Sequence, residues 1–423
     1  MRFCSALIAL VLVGAAYAQD ASKPAPQADP KSATVPITLD HNRIVIDVYL
    51  PLPDGSTRRV RGWVDNGNPD LEMSRRAATL MGLNVTCDDK ACSAPPPHEI
   101  TIGGMKIPLA AVKEAKIPLK PVTSASVMAP GMSAEIKVPS IVLRNYDVLV
   151  SFPDREFTIG QRGTIHFRGM SGKILVNSET GLVQMPSKID GKNYNLGLDV
   201  GSSFSFLTSE VFDKLASAHS DWPHMTGAAG NANMWGQDDE PKLKLLRVDR
   251  VQYGPVFLTG VATASLPASE STFFEKRAGA STAGLLGSNA LLNYRVGIDY
   301  AHSMAYFEVG TTFKAPDFDV IGLTLRPEDD GAFTVLGIAD FEGKPSVPEA
   351  QVGDHLVAVD GIPVPDSTMG QVWSMLEGQP GQERKLTIER AGKQFTVAAK
   401  VQHFLGDQTD KDEPKEKPKR NYR

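Results

Sequence analysis

The chain has 423 residues, 42% of them hydrophobic, and a formal net charge of −5. That length exceeds one ordinary core and points to roughly two to four domains, while the acidic balance gives no electrostatic reason to expect nucleic acid or an anionic membrane as partner. Short Val/Ile/Thr/Leu runs, broken by 37 glycines and 30 prolines, favour β structure over helix.

The first residues read as a secretory signal. Arg2 supplies the positive start, residues 6–16 an apolar stretch too short to span a bilayer, and Ala16-Tyr17-Ala18 a small-x-small cleavage site before Gln19. The mature chain is therefore expected to be exported, to the periplasm or beyond it, with no transmembrane segment once residues 1–18 are removed. Cys4 leaves with the signal, so Cys87 and Cys92 form a close pair in an oxidising compartment, and a disulfide closing a small loop is expected. No His or further Cys stands at ligand spacing, so neither a metal nor a cofactor is expected. Residues 19–34 are rich in Pro, Ala, Ser, Asp and Lys without apolar periodicity and read as a disordered linker.

A first unit is expected over residues 35–162. Strands at 43–50 and 58–64 flank a turn at Pro53-Asp54-Gly55. They lead into Val64-Asp65-Asn66-Gly67-Asn68, then Leu71-Glu72-Met73-Ser74, with Ser74 as the N-cap of a helix over 75–80. A second unit, residues 163–312, repeats the pattern. Its opening strands are expected near 173–176 and 194–198. They run into Leu198-Asp199-Val200-Gly201-Ser202, then Ser205-Phe206-Leu207-Thr208 before a helix over 210–215. Two later blocks recur in the same order. Glu99-Ile100-Thr101-Ile102-Gly103-Gly104 matches Arg250-Val251-Gln252-Tyr253-Gly254-Pro255. Asn145-Tyr146-Asp147-Val148 matches Asn293-Tyr294-Arg295-Val296, each before a hairpin and a closing strand. Three blocks in one order argue for internal duplication of a whole all-β lobe. Between the second aspartate block and its later strands, residues 222–240 hold Gly227, Gly230, Met234, Trp235 and Gly236. They are read either as a loop closing over a substrate or as plain surface.

Beyond residue 320 the pattern changes, and a third unit is expected over 313–404. Strands at 321–325 and 332–336 precede Val352-Gly353-Asp354-His355-Leu356-Val357-Ala358-Val359-Asp360-Gly361. A helix near 367–376 and strands at 384–390 and 394–401 follow. The tail, 405–423, alternates acidic and basic residues with prolines and reads as disordered.

The two Asp-x-Gly turns, Asp65–Gly67 and Asp199–Gly201, together with Leu285-Leu286-Gly287 before the second Asn-Tyr block, resemble bilobal aspartic proteases of the retropepsin and pepsin type. The resemblance covers about residues 35–312. The fold it implies is all-β: two tandem acid-protease lobes related by internal duplication, followed by a small α+β domain. That last unit resembles a circularly permuted bacterial PDZ domain, on Val352-Gly353-Asp354 with Asp360-Gly361, and on Leu376-Glu377-Gly378-Gln379-Pro380-Gly381. By this resemblance Ile321, Gly322, Leu323 and Thr324 take the place of the loop and strand that receive a partner's C-terminus, through added-strand pairing and backbone capture of the carboxylate.

What the first resemblance implies is an exported endopeptidase in which Asp65 and Asp199 share one proton and activate water. Asn66, Gly67, Val200, Gly201 and Ser202 would shape the dyad turns, a peptide or protein would be the substrate, and no homodimer would be needed. Like charges a few ångströms apart cannot both ionise comfortably, which is why the proton is shared; aspartic proteases are the standard example of such a dyad. The chain departs from the pattern. Asn66 and Val200 stand where a Thr or Ser follows each aspartate, Asn68 replaces a small residue, Pro69 stiffens the turn, and Val138-Pro139-Ser140 stands in place of Leu285-Leu286-Gly287. A catalytically inactive peptide-binding protein on the same scaffold is the alternative those departures raise. No Gly-x-Ser-x-Gly and no His-Glu-x-x-His occurs, and the histidines are scattered, so serine and zinc hydrolase chemistries find no support.

Overall fold

Strands dominate the computed structural model, which describes residues 29–120, 127–225, 243–266, 268–310 and 318–406. The expected signal, most of the expected linker, the tail after 406 and the tip of the 222–240 loop, with Gly227, Gly230, Met234, Trp235 and Gly236, lie outside the described residues. Five short α-helices interrupt the strands of the described residues: α1 (Arg75–Leu80), α2 (Ser140–Leu143), α3 (Ser209–Ala218), α4 (Ala268–Ala278) and α5 (Met369–Leu376). None is long and apolar enough to cross a membrane.

A six-stranded sheet joins the two halves of the chain. Its order is Ser32–Pro36, Glu156–Gln161, Tyr146–Ser151, Tyr294–Asp299, Met304–Val309, Met170–Lys173. The two recurring Asn-Tyr blocks meet at its centre, antiparallel, with Asp147 opposite Asp299, Leu149 opposite Gly297 and Ser151 opposite Arg295. Pairing is therefore symmetric about Leu149 and Gly297, and three strands of each half lie on either side. The outermost strand corrects the expected linker: residues 32–34 are ordered. Alternation explains this, because Ala33 and Val35 turn inward while Ser32, Thr34 and Pro36 face out, and the strand closes the edge against Glu156–Gln161.

In the first half, Thr57–Asp65 runs between Arg43–Pro51, to which it is antiparallel, and Ile136–Pro139, to which it is parallel. The expected helix follows, and the Ser74 hydroxyl accepts from Ala77 N at 2.9 Å. Cys87 and Cys92 are bonded across a tight hairpin. In the second half, Lys192–Leu198 runs between Val183–Ile189 and Gly284–Leu286. Sequence pattern places the partner of this strand near 173–176, and the structure corrects that. The hairpin turns at Asp190 and Gly191, both at positive φ (50° and 71°), the geometry a two-residue Asp-Gly turn supplies. Residues 173–176 instead divide between Met170–Lys173, in the joining sheet, and Leu175–Val176. The expected Thr208 cap accepts from Val211 N at 3.4 Å, and α3 runs beyond the expected span. Ile102-Gly103-Gly104-Met105 and Tyr253-Gly254-Pro255-Val256 are both hairpin turns, as their matched sequences imply.

The C-terminal unit is a sheet ordered Leu323–Pro327, Phe333–Ile338, His355–Val359, Glu383–Arg390, Lys393–Lys400, with α5 on one side. Thr368 and Gln371 form a reciprocal cap at the start of α5. The unit rests on the rest of the chain. Gly370 N donates to Asp40 Oδ1 (2.7 Å), Met369 N donates to Gly131 O (2.7 Å), and Phe318 sets its ring edge-on to both Phe204 and Trp373.

Candidate active site

Each candidate aspartate stands at the buried end of a strand that is flanked on one side by a parallel neighbour. The residues just before them, Val64 and Leu198, are apolar and buried, so each strand delivers its carboxylate at the edge of a dry core. Val64 and Val138 pair on one side, and Leu198 and Leu286 on the other. Both aspartates are buried, Asp65 at 4% and Asp199 at 8% exposure.

The two turns are pressed against each other. A Cβ built on Gly67 would fall 2.0 Å from Asp199 Oδ2, and one built on Gly201 would fall 2.7 Å from Asp65 Cα and 2.8 Å from its Oδ1. Each glycine thus exists to admit the opposite aspartate. Each aspartate also folds onto its own turn: Asp65 Oδ1 accepts from Gly67 N (3.0 Å), and Asp199 Oδ1 accepts from Gly201 N (2.9 Å) and Ser202 N (3.0 Å).

Asn66 ties the turns together without help from Val200. Its amide donates to Leu198 O (2.7 Å) and its carbonyl oxygen accepts from Val200 N (2.7 Å). One side chain therefore supplies both halves of this cross-link between the turns. The Val200 side chain, fully buried, contributes packing alone. Trp63 adds a second tie, its indole N–H donating to Gly201 O at 3.1 Å. Ser202 turns away, its hydroxyl donating to Phe204 O, and Ser288 fixes the second turn by donating to Val200 O at 2.7 Å.

Lys137 belongs to the site although no motif in the sequence singles it out. Strand register places Lys137, Val138 and Pro139 where Leu285, Leu286 and Gly287 stand, one residue earlier than the apolar match of the two halves suggests. Counting back eight residues from Tyr146 and Tyr294 gives this same register, so the sequence does carry the signal. Lys137 is 2% exposed. Its Nζ lies 3.3 Å from Asp65 Oδ2 and 2.8 Å from Glu72 Oε1, over the face of Trp63 at 4.7 Å.

Burial raises the pKa of Asp65 above the ordinary carboxylate value, and the Lys137 ammonium works against that rise. Burial raises Asp199 too, with the negative field of Asp65 behind it, to about 7. Burial disfavours the charge on Lys137 as well, but Asp65 and Glu72 outweigh it and keep the ammonium above its usual pKa. One carboxylate with its own cation faces one without, which splits a pair that would otherwise be equivalent.

The aspartates open onto a cavity of about 250 Å³ whose far wall is α4, through Glu270, Phe273 and Phe274. This helix is absent from the sequence-based expectations, although its signals are ordinary: Pro267 ahead of it, Glu270 in its first turn, Lys276 and Arg277 in its last, and Gly279 at φ 69° beyond. Arg277 reaches across to the first turn, donating to Asn68 Oδ1 (3.0 Å) and Asp70 Oδ2 (2.7 Å). A larger groove of about 930 Å³ on the second half includes neither aspartate.

In the C-terminal unit, Ile321, Gly322, Leu323 and Thr324 lie together at the edge strand, and Ile321, Leu323 and Thr324 are all buried. Ile321 N donates to Leu376 O and Leu323 N donates to Ile321 O, so two donors of the expected carboxylate loop are engaged within the unit. Gly322 O accepts from Ala339 N and from the Ser346 hydroxyl. At the other end of the same strand, Gly131 packs against Pro327 and Met369.

No family model matches the sequence, and no curated protein matches it. Among solved structures, the chain is similar to the crystal structure of an aspartic proteinase from Irpex lacteus, with 12% identity and a TM-score of 0.39, over 67% of this chain and 99% of that one. At that identity and score the similarity adds no weight to the geometry.

Proposed function

We propose that the chain is an exported aspartic-type endopeptidase that hydrolyses peptide bonds with Asp65, Asp199 and a water molecule. The observation that carries this is the reciprocal seating of the two Asp-x-Gly turns, each glycine making room for the opposite carboxylate at one buried cavity. A raised pKa shared by two buried carboxylates is what water activation needs near neutral or mildly acidic pH. The ionised carboxylate takes a proton from water as the water oxygen bonds the scissile carbonyl carbon. The protonated one donates to the carbonyl oxygen. Collapse of the resulting diol breaks the C–N bond, with a proton delivered to the leaving amine. An extended peptide would lie between the two turns and α4, and the C-terminal unit is proposed as a PDZ-type module that presents or orients protein substrates.

The runner-up is a peptide-binding protein without activity, which the direct ion pair between Lys137 and Asp65 favours. Peptide cleavage by the mature chain and by Asp199→Asn, measured across acid to neutral pH, separates the two. Cleavage that disappears in the variant supports the enzyme. Equal and negligible turnover in both, with peptide still bound, supports the binder.

A further inference from the structure

We propose that Lys137 is a positioning residue that breaks the symmetry of the dyad, holding Asp65 as the ionised partner and leaving the shared proton on Asp199. This rests on the endopeptidase reading and deepens it.

The geometry is one-sided. Lys137 projects from a strand paired in register with the strand that carries Asp65, and its ammonium meets Asp65 Oδ2 and not Asp199. At the matching place in the second half stands Leu285, an apolar residue lining the cavity beside Asp199. One carboxylate therefore has a buried whole charge at 3.3 Å, and the other feels that same charge only from beyond ion-pair distance. Asp199 has one more backbone donor than Asp65, but an N–H carries only a partial charge and yields to a full cation in a dry site.

The ammonium is also held in place. Glu72 takes a second of its protons, and the Trp63 ring lies against it, so the cation cannot swing towards Asp199 without abandoning both. Trp63 donates to Gly201 O, which makes the same ring a fixed wall between the turns. Other charged or titratable groups around the pair do not cancel this bias. Glu270 of α4 lines the cavity, the Tyr300 side chain lies near Asn66 and Asp199, and Arg277 and Lys116 are committed to Asp70. The consequence is a division of labour. Asp65 accepts the proton of the attacking water, and Asp199 donates to the carbonyl oxygen.

The test is a ¹³C-carboxyl NMR titration of aspartate-labelled full chain, with the pH profile of kcat/KM beside it, for the wild type, Lys137→Met, Lys137→Arg and Glu72→Gln. In the wild type the Asp65 carboxyl should report the lower of the pair's two apparent pKa values. Lys137→Met should raise that value by about 1–3 units and carry the acid limb of kcat/KM with it. Lys137→Arg should hold it close to wild type. Glu72→Gln, which removes both a like charge acting on Asp65 and a competitor for the ammonium, should move it down. An unmoved titration in Lys137→Met, or an upward shift in Glu72→Gln, overturns the proposal. If Lys137→Met does not fold, Lys137→Gln, which keeps a hydrogen-bond donor and drops the charge, takes its place with the same expected rise and the same overturning result. Cleavage that survives Asp199→Asn would instead sink the endopeptidase reading, while the titration still decides what Lys137 does.

Discussion

A methyl carbon on Gly67 would sit 2.0 Å from Asp199 Oδ2, closer than any carbon and oxygen that are not bonded can approach. The glycine is required by the opposite carboxylate rather than by its own backbone, since Gly67 is not among the glycines at positive φ. Gly67→Ala should therefore push Asp199 out of the site. The expected cost is about 1–3 kcal/mol of stability, as for other overpacked sites, with cleavage falling at least ~100-fold because the carboxylates lose register. Thermal unfolding and peptide turnover read the two effects. An alanine variant as active as wild type would mean the turns do not meet as described.

Asn66 should be the residue whose loss most weakens the seam between the turns. Its side chain satisfies Leu198 O and Val200 N, both deep in the core. Asn66→Ala strands one buried acceptor and one buried donor, each costing about 1–3 kcal/mol. Asn66→Thr restores one partner at most and should fall between alanine and wild type. Urea unfolding of the three proteins gives the order. A threonine variant no better than alanine would show that the two bonds do not act separately.

Much of this site is legible in the amino-acid sequence. Asp65 and Asp199 each follow a buried apolar residue at a strand end, stand two positions before a glycine, and are followed at equal distance by Ser74 and Thr208, both of which cap helices. Those features depend on local backbone chemistry, which sequence carries directly. Lys137 is hidden for a different reason. Its role depends on a parallel strand pairing that sets Lys137 opposite Trp63, distant in sequence, and a match on apolar character alone sets that pairing one residue out of register. In a strand, one residue reverses which side chain faces the site. The hairpin partner of Lys192–Leu198 is misplaced when the two-residue turn at Asp190 and Gly191 is overlooked. The C-terminal sheet and α5 follow their sequence pattern closely, but their contacts with Asp40 and Gly131 involve side chains and carbonyls that no periodicity marks.

The raised pKa of Asp199 predicts how stability changes with pH. In the unfolded chain an aspartate releases its proton near its ordinary value of 3.8, whereas in the fold Asp199 holds it to about 7. Between those values the folded state holds the Asp199 proton that the unfolded chain has released, so the Asp199 contribution to stability is greatest below about pH 4 and declines as pH rises towards 7. The decline is at most ~1.4 kcal/mol per pH unit for one proton. Asp199→Asn has no such proton to lose and should flatten the profile. Urea midpoints of both proteins at pH 4, 5, 6 and 7 check this, and a wild type that gains stability relative to Asp199→Asn across the interval would contradict it.

Arg277 should matter more for the mobility of α4 than for the stability of the chain. Arg277 and Asp70 are each about a quarter exposed, and partly exposed ion pairs contribute roughly 0–1 kcal/mol. Yet the pair is the described link from the C-terminal turn of α4 to the first Asp-x-Gly turn. Arg277→Ala should leave the unfolding midpoint nearly unchanged while amide exchange in residues 270–278 accelerates. Unaltered exchange would mean that Phe274, packed on Gly197, holds the helix down alone.

The seat of the C-terminal unit on the first half can be tested from both sides. Asp40 is buried at 8% exposure, with Oδ1 accepting from Gly370 N and Oδ2 accepting from the Ser133 hydroxyl. Across the contact, a Cβ on Gly370 would fall 2.5 Å from both Asp40 Oδ1 and His41 N. Asp40→Ala removes the acceptor, leaving the first turn of α5 with an unpaired N–H. Gly370→Ala keeps the acceptor but forces the surfaces apart. Each should speed amide exchange in α5 without unfolding the sheet Leu323–Pro327 to Lys393–Lys400, whose residues Leu325, Val335, Leu356 and Ile388 form a buried core of their own. Because both changes open the same interface, their effects in the double variant should fall short of the sum. Fully additive effects would show that Asp40 and Gly370 act through separate contacts, and that the C-terminal unit is held to the first half elsewhere.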